Sequence, residues 1–256
     1  MKLTGKTLVA LASLLFVMCL IPVGWAAYSA VVYLTTDSRF EVQRISVAGL
    51  KHVGENEVLA KAGFEVGTNV FRVRLDRIRE RVEELPWVRH ALVERVLPDK
   101  IIIKIVEREP IGLARIKGEV FQFDIDAKIL DPDSARASSF PILDGLHLDD
   151  HKGNLEKVDV YRRVVEDLGQ TTLSEIHIND PREVTVVSAS DPLLVNLGTA
   201  DFRSRWIKYL QLKPQIQRQY PQAVRVDLRF RNQVIVRMKD DETSENIVWG
   251  TKKNTL

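Results

Sequence analysis

Charge is almost absent from the N-terminal end of the chain. No charged residue stands between Lys6 and Asp37, and the most apolar stretch, TLVALASLLFVMCLIPVGWAA, covers residues 7–27. A helix needs about 20 apolar residues to cross the hydrocarbon core of a bilayer. Proline and glycine, both present here, are tolerated in such spans. The pattern therefore predicts a transmembrane helix over residues 7–34.

Side chains at the two ends of this segment indicate its orientation. Lys2 and Lys6 precede the segment, and the cytoplasmic side of membrane proteins is enriched in lysine and arginine. Trp25 and Tyr28 lie near the other end, where aromatic rings favour the membrane interface. We expect residues 1–6 to be a cytoplasmic tail and the later domains to lie outside the cytoplasm. A cleaved signal peptide is the alternative, although its apolar region is usually shorter, about 7–15 residues.

Strand and helix patterns follow one another over residues 40–109. FEVQRISVAG alternates with a period of two, which is typical of a strand. GENEVLAKAG and LDRIRERVEELPWV carry apolar residues at the three- and four-residue spacing of short helices. ALVERVLPDKIIIKIVERE reads as two strands joined by a proline turn. The order strand, helix, helix, strand, strand predicts a three-stranded sheet with two helices on one face.

Short strands dominate residues 110–239. They are IGLARIK, EVFQFD, EIHIND, EVTVVSA and LLVNLG, followed by a closing hairpin in VRVDLRFRNQVIVRM. Two amphipathic helices interrupt them, one over about residues 154–168 and one that begins near Thr199. Strands joined by short turns favour a mostly antiparallel sheet. The predicted fold class is α+β: a membrane helix, the small β-α-α-β-β domain, and a mostly antiparallel β domain with two helices.

The closing hairpin has an apolar face and a charged face. Apolar residues alternate with arginine and aspartate along Val224–Met238, and Phe230 falls on the apolar face. Residues 240–256 show no periodic apolar pattern and are expected to form a mobile tail. Because no strand is expected after the hairpin, we predict that one of its edges exposes unpaired main-chain N–H and C=O groups.

Composition and motifs exclude several kinds of function. The net charge is +2, which gives no overall attraction to nucleic acid. The one cysteine, Cys19, lies in the apolar segment, so no disulfide and no cysteine metal site can form within the chain. The chain has no phosphate-binding glycine loop, no G-x-S-x-G and no H-E-x-x-H motif. We therefore expect no catalytic residue, cofactor, metal or small-molecule substrate.

Three polar clusters allow more than one interpretation. HLDDH at residues 147–151 has two histidines, but the nearby glycines favour a loop over a zinc-binding helix. DIDAKILDPD at residues 124–133 lacks the glycine and glutamate of a calcium loop and is expected to be a surface hairpin. Arginines between Arg72 and Arg89 are partly offset by glutamates three or four residues away. They form either a solvated helix face or a docking surface for an acidic partner or anionic headgroups.

Three separated stretches resemble the FtsQ/DivIB family of cell-division proteins. They are LPWVRHALVERVLPDKIIIKIVEREPIG at residues 85–112, FPILDGL at residues 140–146 and VDLRFRNQVIVRM at residues 226–238. Together with the N-terminal span, the resemblance extends from Lys6 to about Lys239. It implies that residues 40–109 form a POTRA domain and that residues 110–239 form the β domain of that family.

The resemblance implies a scaffold without catalytic activity in the inner membrane, with its POTRA and β domains in the periplasm. Such a protein links early and late division proteins and controls septal peptidoglycan synthesis. The implied partners are FtsB and FtsL, bound by strand addition at the edge of the C-terminal hairpin. Other division proteins would bind through the POTRA domain and the membrane helix. The residues implied in partner binding are Arg229, Phe230, Asn232, Gln233, Val236 and Met238.

Three of these positions depart from the family pattern. Phe230 stands where tyrosine is usual, Gln233 where glycine is usual and Met238 where tryptophan is usual. Phe230 keeps the ring without its hydroxyl, and Met238 keeps apolar bulk. We expect Phe230 to anchor the partner, because buried interface aromatics often dominate binding. We expect Arg229 to meet an acidic group of the partner.

Two other functions fit parts of the sequence. POTRA domains also serve outer-membrane assembly and transport machines, but there they precede a long barrel, whereas the residues here include two helices. A cell-wall enzyme would need a convergent acid–base pair. Glu107 and Glu109 are neighbours, but they end a charged strand and are expected to face water.

Overall fold

The computed structural model describes residues 5–132, residues 140–239 and the backbone of residues 244–248. The chain divides into two compact units, Met1–Arg108 and Glu109–Leu256. The helices are α1 (Gly5–Thr36), α2 (Glu55–Ala62), α3 (Leu75–Glu83), α4 (His151–Leu168) and α5 (Phe202–Gln219). The strands of the first unit are β1 (Arg44–Ala48), β2 (Val88–Val96) and β3 (Lys100–Glu107). Those of the second are β4 (Pro110–Ile116), β5 (Glu119–Asp124), β6 (Ile142–Asp144), β7 (Leu173–Asp180), β8 (Glu183–Ser188), β9 (Asp191–Gly198), β10 (Ala223–Asp227), β11 (Gln233–Met238) and β12 (Ser244–Val248).

Helix α1 contains the apolar segment and suggests a membrane anchor. It begins at Gly5, inside the predicted tail of residues 1–6, whose first four residues lie outside the described part of the chain. Its segment Met18–Thr36 is long and apolar enough to cross a membrane and is not buried. The hydroxyl groups of Ser29 and Thr36 donate to carbonyls one turn earlier in the helix. These hydrogen bonds give the hydroxyl groups a partner within the helix, since lipid tails cannot accept hydrogen bonds.

The first unit has the predicted β-α-α-β-β order. Its sheet runs β1–β3–β2, with β1 parallel and β2 antiparallel to β3. Alternate residues of β3, Ile101 and Ile103, are fully buried, and so are Val58 of α2 and Val82 of α3. The apolar residues that recur every second position in the strand, and every three to four positions in the helices, are therefore the ones that are buried in this unit.

The side chain of Glu107 is only 4% exposed and has a structural role, contrary to the expectation that it faces water. Its Oε1 accepts hydrogen bonds from the backbone N–H groups of Lys51 at 2.7 Å and Val53 at 3.1 Å. Burial alone would raise the pKa of Glu107, but these backbone donors and His52 hold it below its ordinary value. The carboxylate thus closes the turn after β1. A role as an acid or base in catalysis would require it to leave these donors.

The second unit is built on a nine-stranded sheet with the order β12–β11–β10–β9–β8–β7–β6–β4–β5. Most neighbouring strands are antiparallel, as predicted, but β4 with β6, β6 with β7 and β9 with β10 are parallel. Parallel neighbours need a long crossover connection. Helix α4 supplies it between β6 and β7, and α5 supplies it between β9 and β10. The sequence pattern did not indicate β6, which has only three residues.

Both helices of this unit pack on the sheet. One core cluster contains Tyr161 of α4, Trp206 and Tyr209 of α5, and strand residues such as Ile176 and Val195. Because α4 and α5 share this cluster, they cover the same face of the sheet. The hairpin of β10 and β11 joins it through Val226, Val234 and Val236.

The two segments considered for metal binding have local structural roles. Asp124 Oδ1 accepts hydrogen bonds from the backbone N–H groups of Asp126 at 3.0 Å and Lys128 at 2.8 Å, which fixes the predicted turn. The end of that segment, from Asp133, lies outside the described residues. In HLDDH, Asp150 caps α4 by accepting a hydrogen bond from the N–H of Gly153 at 2.9 Å.

We expect Gly145→Ala to destabilise the second unit by about 2–4 kcal/mol, because it combines left-handed strain with overpacking. Gly145, in the family-like FPILDGL stretch, has φ +117°, and a Cβ there would lie 2.2 Å from the carbonyl oxygen of Ile178. Gly118→Ala is the matched control, since Gly118 has φ +88° but open space around it. Its cost should stay near the strain alone, about 1–2 kcal/mol. Urea unfolding of both variants measures the difference, and equal losses would contradict the steric explanation.

Candidate partner-binding site

The loop between β10 and β11 is held by hydrogen bonds that its backbone N–H groups donate. β10 stops at Asp227, whose Oδ1 accepts a hydrogen bond from the N–H of Arg229 at 3.0 Å. The N–H of Leu228 donates to the carbonyl of Asn196 in β9 at 3.0 Å. The Leu228 side chain is buried, whereas residues 229–232 are exposed. The loop is therefore fixed at its start and presents its tip to solvent.

Phe230 lies at this tip with 41% of its surface exposed. This corrects the strand pattern, which placed Phe230 on the buried face. The alternation ends because β10 ends at Asp227, three residues earlier. Phe230 borders a groove of about 360 Å³, here named the Phe230 groove. The groove is lined by Asp201, Ser204, Arg205, Lys208, Leu228, Arg229, Phe230 and Arg231.

The Phe230 groove is cationic. Its lining contains one carboxylate, that of Asp201, and four cationic side chains, those of Arg205, Lys208, Arg229 and Arg231. Burial lowers the pKa of Lys208, and the charge of Arg205 lowers it further. Such crowding of like charges disfavours the protonated lysine. An anionic ligand in the groove would relieve this repulsion, so the groove fits an acidic segment.

Arg229 is already paired within the chain. Its Nη2 lies 2.7 Å from Asp227 Oδ2 and its Nη1 lies 3.6 Å from Glu183 Oε1. The hydrogen bond to Asp227 raises the pKa of the Arg229 guanidinium. Gly198 at the end of β9 makes room for this arrangement, since a Cβ there would lie 2.7 Å from Arg205 Nη1 and 3.0 Å from Arg229 Cγ. Arg229 therefore positions the loop as well as contributing charge to the groove.

The six residues predicted to bind a partner divide into three groups. Arg229, Phe230 and Asn232 lie together at the exposed loop tip. Gln233 and Met238 are half-buried at the two ends of β11. Val236 is fully buried in the core, so its side chain is not available to a partner and only its backbone could pair with one. The structure thus brings the first three together and assigns Val236 to packing.

The predicted open edge of the hairpin is closed by the chain itself. β11 pairs on one side with β10 and on the other with β12, which runs antiparallel from Arg237↔Ser244 to Gln233↔Val248. Residues 244–248, which fall within the predicted tail of residues 240–256, form strand β12 in the described structure. Residues 240–243 and 249–256 lie outside the described part of the chain. Within the described residues, β12 is the end strand of the sheet.

Sequence reasoning missed the contribution of α5 to this site. Arg205 and Lys208 come from its first turns, and Lys208 Nζ donates to the carbonyl of Arg231 at 3.4 Å. Nothing in the helical period of α5 distinguishes these two cations from its other exposed charges. The parallel order of β9 and β10 could have located them, because the crossover helix must begin near the end of β9.

A second cationic groove lies on the first unit. It has a volume of about 400 Å³ beside α3. Arg72, Arg74, Arg77 and Arg81 line it together with Glu65. Arg81 Nη1 donates to the carbonyls of Ala62 and Gly63 at the end of α2, so it also joins the two helices. The arginine cluster noted in the sequence is thus partly structural and partly a free basic surface.

Asp144, Glu175 and His177 form one further polar cluster, on neighbouring strands of the sheet. Arg115 lies among them, with Nε 3.1 Å from Asp144 Oδ1 and Nη2 2.8 Å from Glu175 Oε1. The pKa of Arg115 is raised, chiefly by the hydrogen bond to Glu175. A guanidinium already pairs with both carboxylates, so the cluster is an ion-pair network on the sheet surface.

Two family models match the chain. The model of the FtsQ-type POTRA domain matches residues 40–108, and the model of the cell division protein FtsQ/DivIB C-terminal region matches residues 113–229. The second match ends at Arg229, so Phe230, β11 and β12 lie beyond it.

Relatives named cell division protein FtsQ align with most of the chain. The protein of Koribacter versatilis is 32% identical over 226 residues, which are 83% of this chain and 65% of that protein. The chain thus spans slightly less than two thirds of its length. The protein of Geotalea daltonii is 26% identical, over 84% of this chain and 82% of that protein.

A solved structure also matches part of the chain. It is the major extracytoplasmic domain of the cell division protein DivIB from Geobacillus stearothermophilus, 18% identical, covering 44% of this chain and 98% of that domain with a TM-score of 0.31.

We expect Leu228→Ala to lower the stability of the second unit and Phe230→Ala to leave it nearly unchanged. Leu228→Ala should cost about 2–5 kcal/mol, because it leaves a cavity under the loop. Phe230→Ala should change the free energy of unfolding by no more than about 0.5–1 kcal/mol, because the ring is exposed. Urea unfolding with both variants measures this. A loss of similar size for Phe230→Ala would show that the ring serves the core.

Proposed function

Since the chain belongs to the FtsQ/DivIB family of cell division proteins, we propose that it is a membrane-anchored scaffold without catalytic activity. It binds FtsB and FtsL through the C-terminal end of its nine-stranded sheet. By doing so it links early and late division proteins and controls septal peptidoglycan synthesis.

The observation that carries this proposal is the exposed Phe230 beside a cationic groove, in the loop that precedes β11. Aromatic residues next to arginine are typical of interface hot spots. Main-chain hydrogen bonds from a sheet edge provide affinity, and neighbouring side chains provide selectivity. The loop and the groove are adjacent to the strand that a partner would extend, so one extended segment can use all three.

The direction of the strands supports an acidic partner segment. A strand antiparallel to β11, placed as β12 is, ends opposite Gln233 and points toward the 228–232 loop. The residues that follow such a strand would enter the Phe230 groove. We therefore expect the partner segment to consist of a short strand followed by acidic and apolar residues.

The proposed location is the inner membrane, with a single pass. α1 would be the anchor, and Lys2 and Lys6 would keep the N-terminus in the cytoplasm. Both folded units would then lie in the periplasm. The arginine-lined groove beside α3 is proposed as a docking surface for acidic groups of other division proteins.

Replacement of the native protein in dividing cells tests the scaffold role. Depletion should give filamentous cells, and the wild-type chain should restore division. Phe230→Ala should capture FtsB about tenfold or more weakly in co-purification, because an anchor ring is lost. Leu155→Ala is the control, since Leu155 on α4 is similarly exposed, at 40%. Normal division without the protein would contradict the proposal.

Charge reversal tests the cationic groove. Arg231→Glu should weaken FtsB capture and reduce its dependence on salt, because a positive charge facing the acidic segment is lost. Arg203→Glu makes the same charge change on α5 at an exposed position outside the groove lining and should have little effect. Equal weakening by both variants would indicate a long-range charge effect instead of a groove contact.

A further inference from the structure

The outer main-chain rows of β5 and β11, near the two ends of the nine-stranded sheet, are covered in different ways. At the far end, the outer side of β5 is covered by the turn that follows it, where the N–H of Leu130 donates to the carbonyl of Gln122 at 2.8 Å. Leu130 and Ala127 of that turn are buried, and the Asp124 carboxylate holds the turn in place. This closure is tied to the core by side chains as well as by main chain.

At the near end, β12 covers the outer main-chain row of β11. It reads Ser-Glu-Asn-Ile-Val, and three of these five residue types are not strand formers. The connection from Met238 to Ser244 reads Lys-Asp-Asp-Glu-Thr. In the described structure, the backbone of β12 is joined to the sheet by the main-chain ladder to β11, from Arg237↔Ser244 to Gln233↔Val248.

Strand β11, with which β12 pairs, is held in the sheet by its side chains and by a second strand. Val234 and Val236 of β11 are fully buried, and β11 also pairs with β10, so it stays in place whether or not β12 is present. Loss of β12 would expose a ready-made row of N–H and C=O groups beside Phe230. Such a row accepts a strand from another chain.

We propose that β12 is a built-in competitor for the partner strand: it closes β11 in the free protein and leaves when a partner segment takes its place. This rests on the proposed function, because the partner is the one described above. Both segments would lie antiparallel to β11 and use the same main-chain groups, so they exclude each other. The apparent affinity for the partner is then reduced by the fraction of molecules whose edge is open.

The first experiment measures competition directly. The full chain and a form that ends at Lys239 are prepared in the same detergent. Each is titrated with a fluorescent peptide of residues 242–250 of this chain, and then with the extracytoplasmic part of FtsB from the same organism. The shortened form should bind both ligands about tenfold or more tightly than the full chain, since its edge is always open. Equal affinities of the two forms, or no binding of the peptide to the shortened form, would overturn the proposal.

The second experiment locks β12 in place. Ile235→Cys with Asn246→Cys joins residues that face each other across β11 and β12, in a Cys19→Ser background. Oxidation should abolish FtsB binding and reduction should restore it. Arg225→Cys with Arg237→Cys is the control, because it joins β10 to β11 and leaves the outer edge unchanged. Binding that persists in the oxidised Ile235–Asn246 form would overturn displacement and place the partner elsewhere.

These measurements also separate the two levels of the argument. If neither form binds FtsB but the shortened form binds the peptide, the proposed partner is wrong while β12 remains a detachable closure. If both forms bind FtsB equally and the lock has no effect, the partner is right and the competition is wrong.

Discussion

In the second unit of this protein, the architecture depends on one requirement: main-chain N–H and C=O groups need hydrogen-bond partners. A flat sheet leaves one such row at each end, and a row that is left open invites pairing with other chains. Eight strands lead from β5, whose outer side is covered by the turn that follows it, to β11, whose outer row is covered by the ninth strand, β12. Everything proposed about partner binding concerns how that last row is satisfied.

The crossover connections determine which side chains surround that row. β9 and β10 are parallel, so α5 must carry the chain from the end of β9 back to the start of β10. This brings Arg205 and Lys208 to the 228–232 loop, while Gly198 leaves space for the guanidinium group of Arg205 and the aliphatic carbons of Arg229. A hairpin extension directly from β9 would have produced the same sheet edge without a cationic groove. Charge at the edge is therefore a consequence of topology and not of the hairpin sequence alone.

The sequence predicted most of the fold because its patterns are local. The period-two alternation correctly predicted that isoleucines of β3 and valines of β10 and β11 face the core. The structure also confirms the α+β class. Phe230 was assigned to the wrong face because alternation cannot show where a strand ends. β6 was missed because three residues are too few for a period. β12 was missed because Glu and Asn are poor strand formers, and only the exposed ladder of β11 makes a strand of that segment.

The proposed competition at the edge also involves tethering of both competitors, β12 and the partner segment. A strand joined to its site by a short connection competes with a high effective concentration, so a partner free in solution would need high affinity to displace it. A partner confined to the same membrane beside α1 gains a comparable advantage without stronger contacts. In this proposal, the membrane anchor and the pairing of β12 with β11 therefore act on the same competition for the edge of β11. In the proposed competition, the edge would stay covered against proteins that diffuse freely and would open to those held close by. Under this proposal, cutting the chain between α1 and β1 should lower partner occupancy more than any loss of direct contacts with α1 would explain.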